Sequence, residues 1–305
     1  MQRDSTEEPL FGFPWNQANL DPLFNRGLLT VIAFDEDGRP HPLGTGFVIS
    51  RDDRKAVCMT AAHVITGLRN LQAPPPRHAM SALPEFLPPP RNIDLSRQLL
   101  RAIALEGDRV EVLVVEGAIV DESRDIAVIT VALQDEQSGP FFSHEFEVDD
   151  VDPSNGDLVC ILSYGGLNSG TFVTDGDHYR EFQISRSPIL RVGTVIERHP
   201  SGYGLCRGPC IETTIPVYSG MSGGPVFAFG QPGQPMRPIG LVCSDPDIDG
   251  PDKEDRTKAG SSIVAMLPCR VEVNSSGARL VKLVFSNGEA VGEILAMARS
   301  VADVP

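Results

Sequence analysis

The stretch Gly220-Met221-Ser222-Gly223-Gly224-Pro225-Val226 crowds glycines around one serine, between two short apolar runs at 211–214 and 225–229. Small neighbours let the backbone turn tightly, so that the amides of Gly220 and Ser222 can point at one place. A serine hydroxyl is a poor nucleophile at neutral pH, and it needs a base for its proton and donors for the oxyanion that forms. Ser222 is therefore a candidate nucleophile, and a plain glycine-rich turn with an incidental serine is the alternative.

A base for this serine is available in Thr60-Ala61-Ala62-His63-Val64, where small alanines leave the imidazole accessible at the end of an apolar strand, with a turn expected at Gly67. A single histidine is most often a surface or core residue. His63 is therefore a catalytic candidate only if a nucleophile and an acid accompany it. Five other histidines lie in polar or Pro-rich surroundings typical of solvated loops: His41, His78, His144, His178 and His199.

The acid that would orient this histidine is Asp125, in Ser123-Arg124-Asp125-Ile126-Ala127-Val128. A carboxylate just before an apolar strand can become buried against an imidazole, where it fixes the tautomer and stabilises the imidazolium. Asp121 and Glu122 are rivals, because any acid at a strand entrance can be a turn residue. The adjacent apolar run favours Asp125.

The rest of the chain predicts an all-β fold, because short apolar runs separated by Gly, Pro, Asn and Asp recur throughout. Two stretches are expected as surface loops: the Pro-rich 72–90, which could act as a lid, and the acidic 246–258. A short helix is expected over 289–301. The predicted strands are 28–34, 45–50, 56–60, 109–114, 126–131, 158–162, 190–196, 211–214, 225–229, 239–242 and 262–267.

Charge and cysteine usage limit the partners and the compartment. The formal net charge is −15 and the pI about 4.8, which disfavours nucleic acid and anionic membranes as partners. Residues 1–10 are polar and acidic, unlike a secretory signal, and the apolar runs are shorter than the ~20 residues of a membrane helix. We expect a cytoplasmic protein with free thiols. Whether Cys206 and Cys210 pair or bind metal stays open.

Taken together and in this order, the segments around His63, Asp125 and Ser222 resemble the signature of trypsin-like (chymotrypsin-fold) serine proteases. The stretches 44–50 and 239–244 resemble that family's strands before the histidine and after the nucleophile, so the resemblance covers roughly 28–268. It implies two six-stranded antiparallel β-barrels with a short C-terminal helix. The N-terminal lobe, 1–150, would carry His63, Asp125 and a Pro-rich insertion near 72–90. The C-terminal lobe, 151–305, would carry Ser222 and end in a hairpin and the helix.

For the site, the resemblance implies a serine endopeptidase with His63, Asp125 and Ser222 as its triad, an acyl-enzyme intermediate and no metal or cofactor. The amides of Gly220 and Ser222 would form the oxyanion hole. The substrate would be a polypeptide, while the oligomeric state stays unknown. The substrate-binding residues would be Pro216, Val242, Cys243, Ser244 and Ser261.

Two departures from the digestive enzymes matter. Met221 precedes the nucleophile where those enzymes have an aspartate that pairs with a cut N-terminus, and Val64 replaces an expected cysteine. Both features resemble bacterial and intracellular members such as the Deg/HtrA-like proteases. Pro216 lies near the pocket base where a carboxylate would select Arg or Lys, so a small or medium apolar side chain is expected.

Two other interpretations remain. The chain could be a proteolytically silent member of the fold that binds a partner through its peptide groove, although its three candidate catalytic residues argue against this. It could also be a β-protein without a site, which would leave the ordered motifs unexplained.

Overall fold

A computed structural model describes residues 27–35, 39–72, 90–93, 100–106, 109–134, 140–142, 144–175, 178–204, 206–229, 237–244, 261–273 and 279–283. The chain over these residues is mostly β-strand, with one helix among them. None of the described helical structure is long and apolar enough to cross a membrane.

The first half of the described chain forms a closed antiparallel barrel of six strands. Along the barrel the strands follow the order β6-β5-β1-β2-β3-β7, and β6 also pairs with β7, which closes it. A short strand, β4, pairs with β6 but is not one of the six barrel strands. The bounds are β1 (Leu28–Phe34), β2 (Pro40–Arg51), β3 (Lys55–Ala61), β4 (Arg91–Ile93), β5 (Leu100–Glu106), β6 (Arg109–Asp121) and β7 (Ile126–Leu133).

A second closed barrel follows in the order β10-β13-β12-β11-β8-β9. It is dominated by a long hairpin of β8 and β9, and a separate hairpin of β14 and β15 comes after it. The bounds are β8 (Leu158–Asp175), β9 (His178–His199), β10 (Cys210–Thr213), β11 (Pro225–Ala228), β12 (Pro238–Ser244), β13 (Ser262–Met266), β14 (Cys269–Val273) and β15 (Arg279–Leu283).

The strands form where the sequence is rich in β-branched and aliphatic residues. β1 and β7 are buried along almost their whole length, since one face fills the barrel and the other is covered. Phe47, Leu28 and Ile129 are among the largest fully buried side chains. Continuous apolar runs, rather than strict alternation, therefore mark these strands in the sequence.

The two barrels are held together by polar contacts. Arg186 on β9 donates from Nη1 to Thr30 Oγ1 on β1 at 2.7 Å. Its guanidinium also lies 4.1 Å from the ring centre of Tyr164. The amide of Arg207 donates to the carbonyl of Ser123 at 2.8 Å. The contact of Arg186 with Thr30 joins β9 to β1, and the contact of Arg207 with Ser123 joins the segment before β10 to the β6–β7 turn. The candidate site lies along this seam.

The barrel architecture predicted from the sequence is confirmed, and each predicted strand overlaps an observed one. Two expectations are corrected. His63 does not end a strand, and Gly67 does not make a turn: both lie in a helix, α1 (Ala62–Gln72). The strands β4 and β5 were not predicted, because short or charge-interrupted runs carry a weak pattern. The Pro-rich insertion, the acidic loop and the C-terminal helix over 289–301 fall on or mostly on residues outside those described.

Candidate active site

His63 lies in the first turn of α1, directly after β3. The helix is anchored by Val64 and Ile65, each 1% exposed, which pack into the core of the first barrel. With these side chains inside, the imidazole of His63 faces outward and is 41% exposed. The local sequence therefore turns its apolar residues into the core and presents the histidine at the barrel seam.

Asp125 holds both the imidazole and the start of the helix that carries it. Its carboxylate accepts from His63 Nδ1 at 2.8 and 3.0 Å and from the His63 amide at 2.9 Å. Its carbonyl accepts from the Ala62 amide at 3.0 Å. The first amides of a helix have no partner within it, so Asp125 acts as the cap of α1 from a distant part of the chain.

The backbone of Asp125 has a φ of 54°, and it is the one non-glycine residue of the described chain in the left-handed region. Aspartate tolerates this region better than most residues, yet the conformation still has a cost that the surroundings must offset. Asp125 is 5% exposed, so its carboxylate interacts with His63 rather than with water.

The two alternative acids, Asp121 and Glu122, lie in the same turn but contact residues other than His63. Asp121 is fully buried and accepts through Oδ1 from the amides of Ser123 and Arg124, which shapes the β6–β7 turn. Glu122 pairs with Arg91 at 2.6 Å. Of the three carboxylates, Asp125 is the one that contacts the imidazole.

A thiol contacts the other side of this carboxylate, and no sequence motif indicates this contact. Cys243 Sγ donates to Asp125 Oδ2 at 2.7 Å. Contact with Cys206 lowers the pKa of the Cys243 thiol, but burial and the charge of Asp125 outweigh it and raise that pKa to about 12. The thiol therefore stays protonated at neutral pH and remains a hydrogen-bond donor.

The loop that carries Ser222 packs against the first barrel through its backbone. The Thr45 amide donates to the carbonyl of Ser222 at 2.8 Å, and Thr45 Oγ1 donates to the carbonyl of Gly220 at 2.9 Å. A Cβ at Gly223 would lie 2.1 Å from Thr45 O and 2.9 Å from the Ala61 amide. Gly223 has a φ of 83°, so both its conformation and this close approach require glycine.

This packing brings Ser222 beside the segment that carries the histidine. A Cβ at Gly44 would meet Val64 Cγ2 at 2.6 Å and the carbonyl of Ser222 at 2.8 Å. Gly44 therefore lies between the residue after His63 and the backbone of Ser222. The backbone of Ser222 therefore lies close to the start of the helix that carries His63.

The amides in the Ser222 loop fall into two groups. Those of Met221, Gly223 and Gly224 donate to the carbonyls of Tyr218, Val242 and Met221. The amides of Gly220 and Ser222 donate to no acceptor within the described residues. Two backbone donors near the serine are therefore free to bind an incoming oxygen.

The imidazole and the serine hydroxyl make no hydrogen bond to each other in the described structure. Nδ1 of the same imidazole is bonded to the carboxylate of Asp125. Catalytic contacts are often long without substrate and tighten when it binds. Burial lowers the pKa of His63, but the charge and hydrogen bond of Asp125 outweigh this, so the net effect raises the pKa from its usual value of 6.5.

The residues expected to bind substrate lie at one end of the second barrel. Strand pairing sets Thr213 opposite Ser262 and Ser244 opposite Ile263, which brings the segments after β10, at the end of β12 and before β13 together. Pro216 is partly buried and Ser261 is 9% exposed. The backbone of Val242 bonds to Gly223 and Gly224, and the side chain of Cys243 faces Asp125.

A two-barrel fold with a histidine–carboxylate pair beside a glycine-flanked serine loop defines a class of peptidases. The sequence matches the model of the trypsin-like peptidase domain over residues 44–234, more than half of the chain, and the chain belongs to this family. No curated protein matches the sequence.

Proposed function

We propose that this chain is a serine endopeptidase with Ser222 as nucleophile, His63 as general base and Asp125 as the residue that orients the histidine. The observation that carries the proposal is the buried carboxylate of Asp125, which accepts hydrogen bonds from both the ring and the amide of His63. Membership of the trypsin-like peptidase family supports it.

The hydrogen bond of Asp125 explains how His63 acts as a base. Nδ1 of the imidazole donates to the carboxylate, so the proton of the neutral ring is on Nδ1 and the lone pair is on Nε2. Nε2 takes the proton of the Ser222 hydroxyl as Oγ attacks the substrate carbonyl. Asp125 stabilises the imidazolium that results.

The oxygen of the attacked carbonyl gains negative charge in this step. The amides of Gly220 and Ser222, which donate to no described acceptor, stabilise that charge. When the tetrahedral intermediate collapses, the C–N bond breaks and His63 gives its proton to the leaving amine. Water then attacks the acyl-enzyme with His63 again as base, and the Ser222 hydroxyl is restored.

The substrate is a polypeptide, bound at the end of the second barrel near Pro216, Val242, Cys243, Ser244 and Ser261. Pro216 offers no charge to select a basic side chain, so we infer a preference for a small or medium apolar residue before the cleaved bond. The proposed catalytic steps use no metal or cofactor. Six unpaired thiols favour a cytoplasmic location.

A peptide-cleavage assay tests the proposal. Ser222→Ala and His63→Ala should each lower kcat at least about 10³-fold on a pool of quenched fluorescent peptides. Ser219→Ala is the matched control, since Ser219 is an exposed serine in the same loop, and it should stay close to the parent. Equal cleavage by the Ser222→Ala variant contradicts the proposal.

A proteolytically silent, partner-binding protein is the competing function. Such a protein would bind peptides from the pool without cleaving them. Binding without turnover by the parent chain, unchanged in Ser222→Ala, would favour that function instead.

A further inference from the structure

Two glutamates and a histidine meet on the second barrel where β9 pairs with β10. Glu197 and His199 are two residues apart on β9 and so share a face of that strand. Glu212 on β10 is the direct cross-strand partner of Glu197. One ligand atom from each of the three lies within 4.8 Å of the others.

The two carboxylates repel each other in this arrangement. Like charges directly opposite on neighbouring antiparallel strands destabilise the pair. No lysine or arginine of the described chain forms an ion pair with Glu197 or Glu212. The neighbouring Arg198 instead pairs with Asp152. The cluster therefore holds two uncompensated negative charges.

His199 leaves a buried nitrogen aimed at the same place. Its Nε2 is shielded from solvent and has no hydrogen-bond partner within the described residues. It lies 3.8 Å from Glu212 Oε2, too far for a hydrogen bond. The ring stacks on Tyr203 with centroids 4.5 Å apart, which holds its plane in position. A buried nitrogen without a partner is costly unless something binds it.

We propose that Glu197, His199 and Glu212 form a binding site for one divalent metal ion of the zinc type. Imidazole nitrogen and carboxylate oxygen are both zinc ligands, with metal–ligand distances of about 2.0–2.2 Å. Two ligands of one ion are then at most about 4.4 Å apart, so ligand atoms that lie within 4.8 Å of one another need to move by at most a few tenths of an ångström. Glu197 is exposed and Glu212 half-buried, which leaves their side chains room to move.

The ion has a defined structural effect. It joins β9 to β10, offsets the repulsion of the two carboxylates and occupies the free nitrogen of His199. β10 leads directly into the segment of Pro216 and then to the Ser222 loop. Binding therefore stabilises the strand on which those segments depend, and this inference stands whether or not the chain cleaves peptides.

Calorimetric titration of the full chain with Zn²⁺, after treatment with EDTA, tests the site. One ion should bind per chain, and the affinity should fall at least about tenfold in His199→Gln and in Glu212→Gln. His41→Gln is the matched control, because His41 contacts a single carboxylate, that of Asp35. His63→Gln excludes binding at the candidate active site. Both controls should bind as the parent does.

Two further measurements distinguish a metal site from a mere structural contact. Without metal, Glu212→Gln should melt at a higher temperature than the parent because the repulsion is relieved, and Zn²⁺ should no longer raise its melting temperature. Co²⁺ should give a visible ligand-field band without the near-ultraviolet band of thiolate ligands. Absence of binding by the parent, equal binding in His199→Gln, or a cobalt–thiolate band would overturn the proposal.

Discussion

Replacement of Asp125 by asparagine is the perturbation that best probes the proposed base. The carboxylate accepts three kinds of donor: the His63 amide at Oδ1, the ring Nδ1, and the Cys243 thiol at Oδ2. An asparagine can keep one oxygen but must place an NH₂ group at the other position. In either orientation that NH₂ group meets a donor.

The consequence follows from these contacts. With its oxygen facing the His63 amide, the asparagine places NH₂ against Nδ1 at about 2.8 Å and against the Cys243 thiol. The ring can accept from NH₂ only if its own proton moves to Nε2, and Nε2 then cannot take the serine proton. We expect kcat to fall about 10⁴-fold, equivalent to about 5.4 kcal/mol of transition-state stabilisation.

The pH profile provides a second readout of the same variant. A base must be deprotonated, so kcat/KM of the parent should rise with pH through the pKa of His63, which Asp125 holds above 6.5. Without the charge of Asp125, the acid limb of Asp125→Asn should move to lower pH.

Asp121→Asn is the control, because Asp121 is a buried aspartate in the same turn whose Oδ1 contacts an asparagine oxygen can preserve. It should stay within a few-fold of the parent. The proposed role of Asp125 is wrong if Asp125→Asn keeps more than about a tenth of the parent activity or leaves the acid limb unmoved.

Three further substitutions test the contacts that hold the candidate site in place. Thr45→Val removes a buried hydroxyl that binds the Gly220 carbonyl, so we expect a loss of about 1–3 kcal/mol of unfolding free energy and a lower kcat. Gly223→Ala places a methyl group 2.1 Å from Thr45 O at a positive φ, so it should destabilise the fold by at least about 2 kcal/mol. Cys243→Ala removes a donor to Asp125 and should lower kcat roughly tenfold, whereas Cys243→Ser keeps the donor.

Urea unfolding and peptide-cleavage kinetics measure these effects. Thr45→Ser keeps the hydroxyl and is the control for the valine variant. The account of the loop is contradicted if Thr45→Val or Gly223→Ala is as stable as the parent. The role of the thiol is contradicted if the alanine and serine variants of Cys243 have the same kcat.

The sequence predicted those parts of the site whose chemistry lies in short local motifs. His63, Asp125 and the glycines around Ser222 each stand in a distinctive stretch, and the structure brings these stretches to one seam. The strands were predictable because runs such as those of β1 and β7 are continuously apolar and β-branched, whereas the two-barrel arrangement was implied by the family resemblance.

Other features depend on contacts between distant residues and have no local pattern. The helix α1 begins at Ala62 because Asp125, 62 positions after His63, caps it, while its sequence up to Ile65 is indistinguishable from the end of a strand. Cys243 reaches Asp125 because the β12–β13 pairing shifts register between Val242 and Ser244. Such an irregularity re-aims a side chain, and composition does not reveal it.

The cluster of Glu197, His199 and Glu212 illustrates the same limit. His199 was expected in a solvated loop, yet it ends β9 opposite Cys210. Glu212 comes near it only through the pairing of β9 with β10, so the three ligands share no sequence motif.

Labelling with a fluorophosphonate probe, followed by mass spectrometry of the digested protein, tests whether Ser222 is an activated nucleophile. We expect one phosphonylated residue, Ser222, in the parent and in Ser219→Ala, and strongly reduced labelling in His63→Ala. An unlabelled parent protein, or a probe attached to another serine while Ser222 stays unmodified, would contradict it.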